Sequence, residues 1–387
     1  TQMGAVTTGA LIVGAVAYPL WGYLYDRYAR AKLLALASFL WGASTWLSAI
    51  APTYPTFLVT RASTGIDDSS YPGLYSLLSD YFIPQVRGKI YGFLEFTMPL
   101  GYLLGMVLGL FLGGAIGWRS VFYITGSLGV LLAGFIFFTV KEPPRGQSEP
   151  EMAGLEERGQ YRFTLKAARD LFKKRTLLIR FVQGFFGVFP WNVITFWFFN
   201  YLETERGYSQ NDVFITMVVA VLVLAAGYPL GGALGDYAFK RTPRGRAIVA
   251  GLAVLLGAIL MVITLNIPIP QKMLFMGMLA LTALFIPMAA PNVVSTVHDI
   301  TLPEVRSSAL SIQYLIESSG AALAPLLAGY IADQSNLKTA FLIICTSTWL
   351  VCGVFYLMVA LVIPKDIQTL RQQMRERADQ ERKLQAA

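Results

Sequence analysis

The chain has 387 residues, of which 55% are hydrophobic and 14% are charged, and its formal net charge is +8. Because an ordinary soluble domain carries roughly a quarter charged residues, this composition excludes a typical water-soluble fold. One histidine and two cysteines leave no material for a metal site, so we expect no metal and no cofactor. The basic residues are spread over short loops, and we therefore expect no nucleic-acid partner.

Apolar runs recur along the chain at about the length, ~20 residues, that a helix needs to cross a bilayer. The runs are continuous and do not alternate with period two, so they predict helices rather than a barrel. The first half contains five predicted helices, at about 4–24, 33–51, 56–82, 90–114 and 118–140. The second half contains six, at about 177–201, 212–235, 246–266, 272–296, 306–331 and 338–363.

A polar stretch separates the two sets of helices. It begins with the acidic, Pro/Gly-rich KEPPRGQSEPE and ends with the more basic FTLKAARDLFKKR. We interpret it as a cytoplasmic linker that carries an interfacial helix, with a solvated spacer as the alternative. The predicted units are a first bundle at 1–140, the linker at 141–176, a second bundle at 177–363 and a charged tail at 364–387.

An internal repeat relates the two halves. The pattern YPLxGxLxD begins at Tyr18 and again at Tyr228, and a second register pairs Arg87 with Arg306. Two predicted helices precede the pattern in the second half, but one precedes it in the first. The repeat therefore predicts two six-helix bundles, with the first helix absent before Thr1 and 11 transmembrane helices present. A natural eleven-helix protein is the alternative.

The basic residues predict the orientation in the membrane. Of the 31 Lys and Arg residues, all but six lie in alternate connections and in the tail, on one side of the predicted bundle. Loops rich in Lys and Arg stay in the cytoplasm and can touch anionic membrane lipids. We therefore predict a multi-pass protein of a prokaryotic inner membrane, with its C-terminus in the cytoplasm.

Two loop sequences carry a family resemblance. GYLYDRYARAK, starting at Gly22, resembles the loop signature of the major facilitator superfamily, and GALGDYAFKR, starting at Gly232, is similar to a degenerate second copy. The resemblance implies the major facilitator fold, in which two pseudo-symmetric bundles rock about a central site, and charge contacts that close the cytoplasmic side. A role in turn formation and topology is the alternative. The residues expected in gating are Gly22, Asp26, Arg27, Arg30, Gly232, Asp236 and Arg241.

Two shorter stretches narrow the resemblance. GIDDSSY, starting at Gly65, resembles the fourth helix of Spinster-like transporters, and KEPPRG, starting at Lys141, is similar to the sequence after their sixth helix. In this resemblance Asp68 takes the place of a glutamate and Arg61 that of an arginine. It implies a lysophospholipid or sphingoid-lipid substrate and coupling to protons.

Charged residues inside the predicted helices are the candidates for transport chemistry, because an ionised side chain deep in a membrane is costly. In the 56–82 helix Asp68 lies near the middle of the span, and we predict it as the proton carrier. The alternative is that Asp68 is permanently paired with Arg61 or with a residue of the absent helix and only stabilises the fold. A further candidate role for Arg61 is to bind an anionic head group of the substrate, because its planar fork suits phosphate or carboxylate. At 100° per residue one stripe of this helix carries Arg61, Thr64, Asp68, Tyr71 and Tyr75.

Other polar residues of the helices have open roles. Glu95 is either a second acid of the cavity or a lock to the other half, and Glu317 is either a cavity residue or an interhelical hydrogen-bonding residue. His298 and Asp299 fall at the cytoplasmic end of a predicted helix, where we expect them to be easily solvated, and a role in gating is a further candidate for them. The predicted set for substrate or proton coupling is Asp68, Arg61, Glu95, Asp67, Tyr71 and Glu317.

These patterns favour a monomeric, proton-coupled secondary transporter of an amphiphilic anion such as a lysophospholipid. A carrier of small organic anions or drugs is one alternative, and a non-transporting scaffold subunit with a fixed partner is another. The sequence shows neither a nucleophile with its base nor a phosphate-binding glycine-rich loop, so we do not expect an enzyme. The cavity decides between the substrates, because a lipid anion needs a long apolar cavity with one charged end.

Overall fold

The structure is a computed structural model that describes residues 2–155 and 163–386, and within those ranges helices account for all the regular structure. The first half contains α1 (Gln2–Arg27), α2 (Arg30–Ile50), α3 (Tyr54–Ala62), α4 (Gly65–Asp68), α5 (Tyr71–Tyr81), α6 (Arg87–Val107), α7 (Gly113–Ile116) and α8 (Trp118–Thr139). The rest contains α9 (Leu165–Asp170), α10 (Arg175–Asn200), α11 (Gln210–Phe239), α12 (Gly245–Leu265), α13 (Lys272–Phe285), α14 (Ala290–Ile300), α15 (Arg306–Gln334) and α16 (Leu337–Ala386).

In the described part of the chain, nine helical runs are long and apolar enough to cross a membrane. Six of them lie in the second half, where six were predicted, and three lie in the first. The run from α3 to α5 is not among the nine, and neither is α1. The all-helical membrane class is confirmed, while the count of 11 helices and the helix before Thr1 stay predictions.

The single helix predicted at 56–82 is wrong in detail, because the structure divides it into α3, α4 and α5. The hydroxyls of Ser63, Thr64 and Ser69 donate to backbone carbonyls three residues earlier, at 2.7 to 2.8 Å. Such bonds compete with the helical ladder. Pro72, at the start of α5, has no N–H to continue it. The predicted polar stripe is therefore interrupted twice.

The two halves meet through equivalent pairs of helices. α1 packs against α15, and α6 packs against α11. Glycines allow the close approach: a Cβ at Gly232 would lie 2.0 Å from the carbonyl oxygen of Gly88, and one at Gly22 would lie 2.6 Å from Ser311 Oγ. The equivalent contacts of Gly22 and Gly232 follow the internal repeat.

The linker and the tail pack together at one end of the bundle, which we call the basic end because the basic loops lie there. Met152 and Leu155 of the linker contact Leu370 and Met374 of α16, which continues as one helix to Ala386. The tail is therefore helical, a feature that the sequence did not predict. Met152 is fully buried, so this part of the linker is not a solvated spacer. Residues 156–162 of the predicted linker lie outside the described residues.

Candidate functional site

Two buried aspartates cap helices across the interface between the halves. Asp26 at the end of α1 accepts hydrogen bonds from the backbone N–H groups of Ser307 and Ser308, at 3.0 and 2.7 Å, where α15 begins. Asp236 in α11 accepts from Gly88 and Lys89, also at 3.0 and 2.7 Å, where α6 begins. A carboxylate is favoured at a helix N-terminus, because the first N–H groups are unpaired and the helix dipole is positive there. Each half thus caps a helix of the other.

Buried arginines form ion pairs near each cap, and in the second half the cap itself takes part. In the first half Arg30 pairs with Asp80 at 2.5 Å and with Glu142 of the linker at 2.8 Å. In the second half Arg246 pairs with Asp236 at 2.7 Å and with Asp299. The pairs Arg30–Asp80 and Arg246–Asp299 correspond, because each joins the start of α2 or α12 to the end of α5 or α14.

Glu149 of the linker joins the two halves of this network. Its carboxylate accepts from Arg87 at 2.7 Å and from Arg306 at 2.5 Å, the two arginines that the repeat pairs. Its second oxygen accepts from Arg371 of α16 at 2.9 Å. Glu149 is 2% exposed, and Arg87 and Arg306 are fully buried. The linker therefore supplies one anion to a symmetric pair of cations.

The surroundings of Glu149 keep it ionised. Burial alone would raise the pKa of this carboxyl, but the guanidinium groups of Arg87, Arg306 and Arg371 outweigh burial and hold the pKa well below its usual range. The charge of this group is therefore constant near neutral pH.

The predicted gating residues divide between the network and the surface. Asp26, Arg30 and Asp236 are buried in the network. Arg27 and Arg241 are exposed; Arg27 lies against Tyr23 of α1, and Arg241, just after α11, lies against Tyr237 of that helix. The network and the glycine contacts of Gly22 and Gly232 join the two halves at the basic end.

A polar chamber of about 280 Å³ lies deeper in the bundle, mainly in the second half. Glu95 of α6 enters it from the first half, accepts a hydrogen bond from the Tyr75 hydroxyl at 3.1 Å and leaves its Oε2 without a partner in the described residues. Glu317 of α15 accepts from Gln313 at 2.7 Å. The principal polar residues of the chamber are Glu95, Arg180, Gln183, Tyr314 and Glu317.

An apolar chamber of about 290 Å³ continues from the polar one. Its walls come chiefly from α10, α11 and α13 and are almost entirely aliphatic and aromatic. The two chambers share Met98, Trp191, Tyr228 and Ile286 in their walls, so they lie side by side. The polar part lies nearer the basic end, because α10 starts there and passes the polar chamber first. The adjoining chambers together present charged side chains at one end and apolar walls at the other.

The predicted residues of α3 and α4 lie apart from these two chambers. Arg61 is half-buried, with its guanidinium 5.5 Å from the ring centre of Phe122. Asp67 is 9% exposed and its Oδ1 has no partner among the described residues, whereas Asp68 is exposed. Tyr71 is 36% exposed.

Tyr18 of α1 connects the two groups of acids. It lies within electrostatic range of Asp68 in the first half and of Glu317 in the second. Its ring centre is 5.5 Å from that of Tyr314, which lines the polar chamber. The acids of the two halves therefore approach each other through a pair of tyrosines.

The expectation that His298 and Asp299 are solvated is wrong. Both are buried: His298 Nδ1 forms a hydrogen bond of 2.6 Å with the Tyr91 hydroxyl, and Asp299 pairs with Arg246. Burial is tolerated because each side chain has a polar partner.

The sequence predicts no role for Asp80, Arg87 or Arg306, although the repeat carries a signal for them. Asp80 and Asp299 are separated by the same 219 residues as Arg87 and Arg306, so all four belong to one repeated set. Glu149 offers no such signal, because the linker occurs once.

Comparisons with known proteins agree with this architecture. The family model of the Major Facilitator Superfamily matches residues 1–270 and 244–382. The fucose:proton symporter of Escherichia coli shares the fold with a TM-score of 0.71 over 92% of this chain and 90% of that one, at 15% identity.

Spinster proteins are among the relatives. Protein spinster of Drosophila melanogaster is 29% identical over 85% of this chain, and the chain spans 55% of that protein's length. The sphingosine-1-phosphate transporter SPNS2 of Danio rerio is 25% identical over 98% of this chain and 80% of its own length. The resemblance to Spinster-like transporters is confirmed, and the chain belongs to the major facilitator superfamily of multi-pass membrane transporters, which are not enzymes.

Proposed function

We propose that the protein is a secondary transporter that works by alternating access, couples transport to protons and moves an amphiphilic anion such as a lysophospholipid. The observation that carries this proposal is the pair of adjoining chambers, one with charged groups and one with apolar walls. An acyl chain would bury its apolar surface in the second chamber, at about 25 cal/mol per Å². A small organic anion leaves that chamber unused.

The charge network at the basic end supports a gating role. It consists of two helix caps and a shared linker anion, all of which join one half to the other. Contacts of this kind form in one conformation and break in the other. We place the basic end in the cytoplasm by the positive-inside rule, so the closed network belongs to a state that faces away from the cytoplasm.

Two acids are our candidates for proton coupling. Asp68 and Glu317 lie in different halves and both act electrostatically on Tyr18. Carboxyl groups inside membrane proteins commonly form proton relays. A proton on these acids would neutralise them while the bundles rock.

Uptake by proteoliposomes tests the proposal. With a pH gradient, we expect accumulation of fluorescent lysophosphatidic acid but not of glucuronate. Asp68→Asn and Glu317→Gln should abolish accumulation driven by the gradient, because the site that loads the proton is lost, and should retain exchange without a gradient. Glu203→Gln, an exposed glutamate after α10, is the matched control and should behave as wild type.

Three results would count against the proposal. Uptake of glucuronate without the lysolipid would favour the carrier of small anions. Gradient-driven accumulation by both acid variants would remove Asp68 and Glu317 from the coupling. Uptake of neither solute, together with a protein partner that copurifies in fixed ratio, would favour the scaffold subunit.

A further inference from the structure

One fully buried arginine of the second half, Arg180, forms no ion pair among the described residues. The fully buried arginines are Arg30, Arg87, Arg180, Arg246 and Arg306. Four of them pair with carboxylates in the network at the basic end. Among the described residues no carboxylate lies within 4.0 Å of the Arg180 guanidinium, and its Nε and Nη1 have no hydrogen-bond partner.

Arg180 lines the polar chamber, with its guanidinium carbon 5.2 Å from the ring centre of Tyr356. A charged side chain in a spanning helix is costly unless a partner compensates it, and such residues mark substrate pathways. The planar fork of an arginine suits a phosphate or carboxylate, because it donates two parallel hydrogen bonds. The free donors therefore fit a ligand that is itself an anion.

Gln183 provides a second polar group one helical turn further along α10. Its Nε2 donates to Cys352 Sγ at 3.3 Å, and its Oε1 has no partner in the described part of the chain. A thiol sulfur is a weak acceptor, so this amide can donate to a stronger acceptor without losing a strong bond. Arg180 and Gln183 thus form a pair of donors at one end of the cavity.

The rest of α10 leads from this pair into the apolar chamber. Trp191 lies where the chambers join, and Thr195 and Phe199 line the apolar one. At ~1.5 Å per residue, Arg180 and Thr195 are about 22 Å apart along the helix axis. The lining of the two chambers therefore spans the length of an extended single-chain amphiphile and has a polar end and an apolar end.

We propose that Arg180, assisted by Gln183, binds the acidic head group of the substrate, while the apolar chamber along α10 holds its tail. This assignment rests on the proposed amphiphilic substrate. It replaces Arg61 as the candidate for the head group, because Arg61 packs on Phe122 and lines neither chamber.

Equilibrium binding to the purified protein in a maltoside detergent tests the assignment. The probes are hexadecyl phosphate, hexadecyl glucoside with the same tail and no charge, and inorganic phosphate with no tail. We expect Arg180→Gln to weaken the binding of hexadecyl phosphate by about tenfold or more, since a hydrogen-bonded charge pair is lost. Binding of hexadecyl glucoside should be unchanged.

Other variants separate the position from the charge. Arg61→Gln tests the rival position, and Arg119→Gln is an exposed control at the start of α8. Both should bind hexadecyl phosphate as wild type does. Arg180→Lys keeps the charge without the fork and should show an intermediate loss. This variant also serves if Arg180→Gln fails to fold, because equal binding by wild type and Arg180→Lys would then overturn the role of the fork.

The outcomes distinguish this site from the proposed function. Unchanged binding of hexadecyl phosphate by Arg180→Gln would overturn the site and leave the amphiphilic substrate standing. Binding of inorganic phosphate that depends on Arg180, without binding of hexadecyl phosphate, would uphold an anion site and overturn the amphiphilic substrate. Loss of hexadecyl phosphate binding in Arg61→Gln alone would assign the head group to Arg61 and overturn the role of Arg180.

Discussion

At the scale of single residues, the repeat predicts the polar residues that occur in both halves and misses Glu149, which occurs only in the linker. Asp26 and Asp236 stand out because they occupy identical positions in two copies of one pattern. Their partners are about 150 to 280 residues away in the chain, so the contacts themselves require the folded structure. Glu149 lies in a Pro/Gly-rich linker without a second copy, and its importance follows from where the linker folds.

Neutralising Glu149 should destabilise the closed basic end. Glu149→Gln leaves Arg87 and Arg306 buried without their shared anion, and removing one partner of a buried ion pair costs about 3 to 5 kcal/mol. We expect a lower melting temperature by circular dichroism. Glu151→Gln is the matched control, because Glu151 contacts Arg371 at 3.0 Å at the edge of the network and its loss should have a smaller effect.

The pH dependence of this effect has a definite sign. Because the folded pKa of Glu149 lies below the ordinary value of 4.5, its stabilisation is present above that value and is lost as the pH falls through the folded pKa. The difference in melting temperature between wild type and Glu149→Gln should therefore be constant from about pH 5 to 8 and shrink in stronger acid. A difference that changes steeply near pH 7 would contradict the permanent charge of Glu149.

At the scale of helices, apolar length predicts where spans lie, and side-chain chemistry decides where they break. α12 was expected at 246–266 and occupies Gly245–Leu265. The breaks between α3, α4 and α5 depend on hydroxyls that form hydrogen bonds with the backbone. The length of an apolar run does not reveal where such bonds form. The tail of α16 is helical because its apolar side chains pack on Met152 and Leu155, a tertiary contact.

A methyl group at Gly232 tests the contact between α6 and α11. In Gly232→Ala the new Cβ meets the carbonyl of Gly88 at 2.0 Å, so the helices must separate, and overpacking of this kind costs about 1 to 3 kcal/mol. We expect a lower melting temperature and greater protease access at the basic end. Gly105→Ala on α6, where no atom lies within 4 Å, should be neutral or slightly stabilising. Equal effects of the two variants would refute a special contact at Gly232.

At the scale of the whole molecule, composition and repeat predict two helical halves, and the cavity between and within them follows from the packing. The chambers form where side chains from α6, α10, α11, α13 and α15 fail to fill the space between helices, and hydrophobicity alone cannot locate such a gap. The predicted acids divide accordingly: Glu95 and Glu317 line the cavity, while Asp67 and Asp68 lie on α4 beside α1.

Distances between spin labels test the alternation of the two halves most directly. One pair, Lys32→Cys and Lys240→Cys, spans the basic end, and another, Pro52→Cys and Ile269→Cys, spans the opposite end, with Cys345 and Cys352 replaced by serine. In lipid, Glu149→Gln should lengthen the first distance and shorten the second, because opening at one end closes the other. Unchanged distances at both ends in wild type and in Glu149→Gln, with or without hexadecyl phosphate, would contradict alternating access and favour a rigid scaffold.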